Sequence, residues 1–223
     1  MDRLGAGTGL LSVLLGIVAV GLSAGTGAAN PGASPEEIAR VYANAPSPLV
    51  WVGAYLEVLA YLLLFVFVAR LWAALRDADG HTPNWLATAA VGSGLLAVAL
   101  TLAGFAVGSV LHYRGGPGLN LQAALALFDI HVALYVVSWA LGAVFLGTTA
   151  AMVIGWRVLP AWLGWLAGVI AVFDLAAVGL PASPLAQFPS LFLLLWVLAA
   201  SVVLLQRRAT TTSAEAALVT PTM

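Results

Sequence analysis

The sequence predicts an all-α fold, a polytopic transmembrane bundle of six helices with both termini on the cytoplasmic side. Of its 223 residues, 62% are hydrophobic and 8% charged, whereas charged residues make up about a quarter of a soluble domain. Mean hydropathy is +1.05, and apolar runs near the roughly 20 residues that cross a bilayer follow one another with short connections. Residues 1–208 therefore form one transmembrane domain, with no room for a soluble domain beside it. The formal charge of −1 excludes a nucleic-acid reader that works through a basic surface.

The first run, Thr8 to about Ala29, follows Met1-Asp2-Arg3 and ends in Ser23-Ala24-Gly25-Thr26-Gly27-Ala28-Ala29. That ending resembles a signal-peptide cleavage site. The run is long for such a segment, however, and Asp2 offsets Arg3, so an uncleaved first helix is expected; cleavage would leave five spans. Asn30-Pro31-Gly32 then breaks the helix, and Ser34-Pro35-Glu36-Glu37 supplies an N-cap, a proline at the first helical position and the returning Glu of a capping box. A short amphipathic helix over about 34–43 follows on the outer side, with Ile38, Val41 and Tyr42 on one face to rest on the membrane, before Ala45-Pro46-Ser47-Pro48 ends it. Punctuation separates five further spans: about Leu49–Leu75, Trp85–Leu111, Leu121–Ile154, Leu159–Leu180 and Leu185–Leu205. The run Leu121–Ile154 is too long for one untilted crossing, so its ends project or curve. Residues 209–223, rich in Thr and Ala, are expected to form a disordered cytoplasmic tail.

Orientation follows from arginine. With the N-terminus inside, Arg3, Arg70, Arg76, Arg157, Arg207 and Arg208 lie on the cytoplasmic side, and Arg40 and Arg114 lie outside. Trp51, Trp72, Trp85, Trp156, Trp162 and Trp165 fall near span ends, as an interfacial belt would place them. Small residues recur four apart at Gly5/Gly9, Gly21/Gly25, Gly104/Gly108 and Gly164/Gly168. In lipid such spacing lets helix backbones approach closely, within the chain or across a homo-oligomer face.

Ionisable groups inside spans need a partner or a purpose. Glu57 lies nine residues inward from Pro48, Asp129 nine inward from Asn120, and Asp174 seven before Pro181. At ~1.5 Å per residue those are depths of about 13, 13 and 10 Å from the same outer side. Three helices would thus set a carboxyl at one level, either around a shared outward cavity or in separate bonds that pin the packing. Carboxyls that share a low-dielectric site cannot all ionise, and one kept neutral can protonate a substrate. Tyr61, four residues after Glu57, shares its helix face. Asp129 and His131, two apart, point to different faces, so only one of them joins a narrow site; His131 keeps company with Tyr135 and Ser138.

Metal and cofactor chemistry finds little support. With no Cys there is no thiolate nucleophile, iron–sulfur cluster or Cys-ligated metal, and with no Lys there is neither a Schiff base nor a phosphate-loop lysine. Asp-x-His lacks the i, i+3 or i+4 spacing of a helical metal site. His112 and His131 are mismatched in depth as haem ligands, and His81 lies in a cytoplasmic loop. No cofactor and no metal are expected.

The stretch from His131 to Leu180, with Phe145-Leu146-Gly147 in mid-helix and Arg157-Val158-Leu159-Pro160-Ala161-Trp162-Leu163-Gly164-Trp165 at a junction, resembles an uncharacterised group of small bacterial membrane proteins, the domain of unknown function numbered 4386. That resemblance covers roughly the last half of the chain. It implies about six helices in a bacterial cytoplasmic membrane and no assigned activity, hence no catalytic residues to carry over.

Three functional readings remain open at this level. One is a lipid-phase enzyme on an apolar, isoprenoid-like substrate, performing acid-initiated cyclisation or isomerisation. In it Glu57, Asp129 and Asp174 are the catalytic proton donor and acceptors, and Tyr61, His131, Tyr135, Trp139 and Phe173 bind the substrate, the aromatic rings shielding a developing cation. Another is a proton-coupled small-molecule transporter, in which the same acids bind and release the proton. The last is an accessory subunit whose acids only lock the bundle. Membrane lipids are the expected surroundings in each.

Overall fold

The computed structural model describes residues 2–23, 31–43, 47–77, 84–114 and 120–219. Ala24–Ala29 of the small-residue stretch, the loop with His81 and the glycines of 115–118 fall outside them. The described residues form seven α-helices and one 3-10 turn, with no strand among them. They are α1 (Asp2–Ser23), α2 (Pro35–Tyr42), α3 (Pro48–Asp77), α4 (Asn84–Arg114), α5 (Leu121–Trp156), α6 (Ala161–Gly179) and α7 (Pro189–Val219), with the turn Pro184–Gln187 before α7. Five helices, α3 to α7, are long and apolar enough to cross a membrane, while α1 carries a shorter apolar stretch, Gly7–Leu22. Helices are what lipid permits, because every backbone polar group must find its partner within the segment.

Each long helix packs against the next, α3 on α4, α4 on α5, α5 on α6 and α6 on α7; α1 lies between α3 and α7 and closes a six-helix ring. The apolar helix surfaces turned outward, such as Val169 and Val172 on α6, are exposed, as lipid-facing residues must be. Trp51, Trp85, Trp162 and Trp165 are also exposed.

The half of the ring away from α2 is solidly filled. Phe67, Leu71, Leu146, Met152, Leu163 and Trp196 are almost wholly buried there. Phe145 meets Trp196 edge-to-face with centroids 5.7 Å apart, and the Trp196 indole N–H donates to the Leu163 carbonyl at 3.1 Å. The sharp turn from α5 to α6 passes through Arg157 in the left-handed region at φ 53°. It lets α6 fold back along α5 so closely that Gly164 lies against Val153 and Ile154.

Two details depart from the sequence reading. The short helix α2 is capped as expected, the Ser34 hydroxyl accepting from the Glu37 amide at 3.2 Å; its own backbone amide, then the Ser34 hydroxyl, hold the exposed Glu36 carboxyl below the usual carboxylate range. Its apolar face, however, packs on the protein: Ile38 and Tyr42 are buried against Leu111, Ala124 and Phe128, at the ends of α4 and α5. Burial there pushes the Tyr42 phenol above its ordinary value. The second departure is at the C-terminus, where α7 continues past its apolar span, Pro189–Gln206, to Val219. The run Ala214-Glu215-Ala216-Ala217-Leu218 within it is made of strong helix formers.

A Cβ on Gly164 would come within 2.9 Å of both Val153 and Ile154, whereas one on Gly155 would meet nothing within 4 Å. Gly164→Val is therefore expected to destabilise the bundle by about 1–3 kcal/mol, read as a lower melting temperature in detergent, with Gly155→Ala neutral or mildly stabilising.

Candidate functional site

The α2 end of the ring is hollow. A chamber of about 170 Å³ opens there between α3, α4 and α5, with α2 at its rim. Its wall includes Glu57 from α3, Ser109 and His112 from α4, and His131 and Tyr135 from α5, with Tyr42 from α2. Trp51 and Phe105 add aromatic surface. Among the described residues the chamber wall carries no Arg.

Glycine builds this wall. At Gly104 a Cβ would meet the Tyr135 ring at 3.0 Å, and at Gly108 it would meet the His131 ring at 2.8 Å. The four-residue spacing on α4 therefore seats two aromatic side chains of α5. The His131 ring lies flat enough against α4 for its Nδ1 to reach the Gly104 carbonyl at 2.8 Å. A carbonyl oxygen only accepts, so Nδ1 carries the hydrogen and Nε2 of the neutral ring keeps its lone pair. Tyr135 sits beside His131, centroids 4.8 Å apart, and His112 meets Tyr42 edge-on at 4.9 Å.

A second, smaller cavity of about 40 Å³ lies deeper in the ring. Its polar wall comprises Tyr61, Thr101, Ser138, Trp139, Asp174 and Ser190. Asp174 is 3% exposed, its Oδ1 has no hydrogen-bond partner, and neither has the Trp139 indole nitrogen. Oδ2 lies near Gly142, where a Cβ would be 3.7 Å away. Tyr61 stands between the two cavities: its hydroxyl pairs with the Ser190 side chain, and Glu57 is near enough to act on it electrostatically.

The three carboxyls do not share one level. Along α5, Phe128 packs with Leu111 at the α2 end, His131 reaches Gly104, and Gly142 faces Asp174. Asp129 is thus near the mouth of the bundle. It is exposed and lines neither cavity, so His131, not Asp129, is the member of that pair that joins the site. Residue count does not give a side chain's face: His131, two residues on, lines the chamber with Glu57, while Asp129 is exposed. Glu57 and Asp174 line separate cavities, and the polar groups form a ladder rather than a ring. Phe173 belongs elsewhere, in a cluster with Phe188 and Phe192. Among the described residues no three His, Asp or Glu side chains gather as a metal site would require.

Sequence reasoning set His112 aside on depth, whereas it shares the chamber with His131. Trp51, Phe105, Thr101 and Ser190 carried no sequence signal, since nothing distinguishes an inward apolar or hydroxyl side chain from an outward one in so apolar a helix. Comparison with protein-family models, curated proteins and solved structures returns no match to this chain.

Because Gly108 supports the His131 ring, Gly108→Val is expected to displace the imidazole and release the Gly104 bond. Solid-state NMR of ¹⁵N-histidine protein should show the Nδ1–H form for His131 in the wild type and its loss in the variant. An unchanged His131 signal would mean that the ring does not depend on that glycine.

Proposed function

We propose that the protein is a bacterial inner-membrane enzyme that performs acid–base chemistry on the reacting end of an apolar, isoprenoid-like molecule. In this reading α1 is a sixth span and both termini are cytoplasmic, in keeping with the arginine distribution, so the chamber opens outward. The observation that carries the proposal is that Glu57 and His131, whose Nδ1 bonds the Gly104 carbonyl, line one aromatic-walled chamber. At about 170 Å³ the chamber is smaller than the ~300 Å³ or more of a full ligand pocket. It suits the head of an amphiphile whose tail stays in lipid.

The chemistry needs no cofactor. Glu57 in its acid form gives a proton to one alkene carbon, and the rings of Trp51, Phe105 and Tyr135 shield the resulting cation. His131 Nε2 then takes a proton from the neighbouring carbon, and returning that proton to Glu57 closes the cycle. The product is a shifted double bond with no change in composition. Asp129, exposed near the rim, has no part in these steps. The absence of an ion-pair partner for Glu57 among the described residues fits a working group better than a packing lock. A second reading, proton-coupled transport, is favoured by one observation, the Tyr61–Ser190 contact that leads from the chamber toward Asp174.

Proton transfer at carbon leaves an isotopic mark whatever the substrate. Purified protein incubated in D₂O with a bacterial membrane-lipid extract is expected to place deuterium at carbon in a specific lipid. Glu57→Gln and His131→Asn should each slow this by about 10²-fold or more, the range of a lost general acid or base. Acid-driven pumping into proteoliposomes without deuteration would instead select the transport reading. Equal deuteration with wild type and Glu57→Gln would remove the proposed role of Glu57.

A further inference from the structure

The deeper cavity has a composition that the chamber's chemistry does not use. Asp174 is a carboxylate 3% exposed with a bare Oδ1, in a cavity whose described wall contains no basic side chain. A buried carboxylate costs several kcal/mol unless something neutralises it. Oδ1 has no hydrogen-bond partner among the described residues, so the charged carboxylate calls for a neutralising body in the cavity, its own proton or a cation.

The hydroxyls indicate which body. Thr101 Oγ1 donates to the Ala97 carbonyl at 2.9 Å, and Ser138 Oγ donates to the Tyr135 carbonyl at 2.7 Å. Each has therefore spent its one hydrogen on its own helix and keeps oxygen lone pairs for the cavity. With Asp174 they line one cavity and offer it hard oxygen donors carrying a single negative charge, beside the unpartnered Trp139 indole nitrogen. Such a set matches a hard, singly charged cation; a divalent ion would bring twice the charge with one carboxylate to balance it. His and thiolate, which would draw transition metals, are missing from the wall.

We propose that the Asp174 cavity is a binding site for a small alkali cation, Na⁺ in particular, held by the Asp174 carboxylate with Thr101 and Ser138 Oγ. At about 40 Å³ it admits a largely dehydrated ion or a few waters, and not an organic ligand. The cation neutralises the carboxylate and ties α4, α5 and α6 together at one point. The site stands independently of the chemistry assigned to the chamber.

Thermal unfolding of the full-length protein in detergent, at constant ionic strength with NaCl, KCl or choline chloride, tests it. Na⁺ is expected to raise the melting temperature saturably, by about 3 °C or more, because a ligand that binds only the folded state stabilises it. Asp174→Asn should abolish the Na⁺ effect. Thr101→Val, which keeps shape and backbone bonding, should raise the half-saturating Na⁺ concentration about tenfold and so serves as the second variant if Asp174→Asn does not fold. Equal melting temperatures in NaCl and choline chloride would overturn the proposal and leave a protonated Asp174 bridged by water to the Trp139 indole. A Na⁺ effect that Thr101→Val leaves untouched would also overturn the assignment of the ligands.

Discussion

The approach of α4 to α5 at Gly104 and Gly108 is the contact on which the chamber depends. Without side chains at those two positions, the backbone of α4 comes close enough for the Tyr135 and His131 rings to lie directly on it. The Gly104 carbonyl then receives His131 Nδ1 at 2.8 Å. In water a gap between helices would be driven shut by the hydrophobic effect, but lipid is as apolar as leucine and supplies no such drive. Close packing and one interhelical hydrogen bond fix the geometry instead. The same contact sets the position of His131 beside Glu57 and the register that leaves the first turns of α5 free to receive α2.

How much of this was legible in the sequence differs between depth along a helix and rotation about it. Span positions followed from length and punctuation. Leu49–Leu75 became Pro48–Asp77, Trp85–Leu111 became Asn84–Arg114, and Leu121–Ile154 grew only to Trp156. The cap at Ser34 was visible because capping depends on nearby residues alone. Rotation was not visible: a helix with protein on one side and lipid on the other is apolar on both, so the periodicity that orients a surface helix in water is lost. Asp129 shows the consequence. Its residue count matched Glu57, yet it turned outward while His131, two residues on, turned in. Only their relation to each other was decidable, from the roughly 200° between them.

The overhang of α5 explains the remaining error. A 36-residue helix is about 54 Å long at ~1.5 Å per residue, well beyond a hydrocarbon core of ~30 Å. Its first turns pack on α2 and on Leu111 of α4, beyond the stretch of α5 that faces α6, where Gly142 lies against Asp174, so a depth counted from Pro181 does not compare directly with one counted from Asn120. The glycine pair on α4 was the one local signal of where α5 comes closest, although its spacing alone did not say which side chains would occupy the space.

Beyond the ladder from His112 to Asp174 the ring is filled mainly by hydrocarbon, with Phe67, Phe145, Leu146 and Trp196 buried there, and the hydroxyls of Ser12, Thr149 and Ser201 buried in the bundle without a partner. In that ring every joint but one is between long helices consecutive in the chain; the exception joins α7 to α1. There Gly9 of α1 lies directly against Ser201 of α7 and, on its other side, Phe67 of α3, so the missing side chain lets the backbone of α1 approach both neighbours closely.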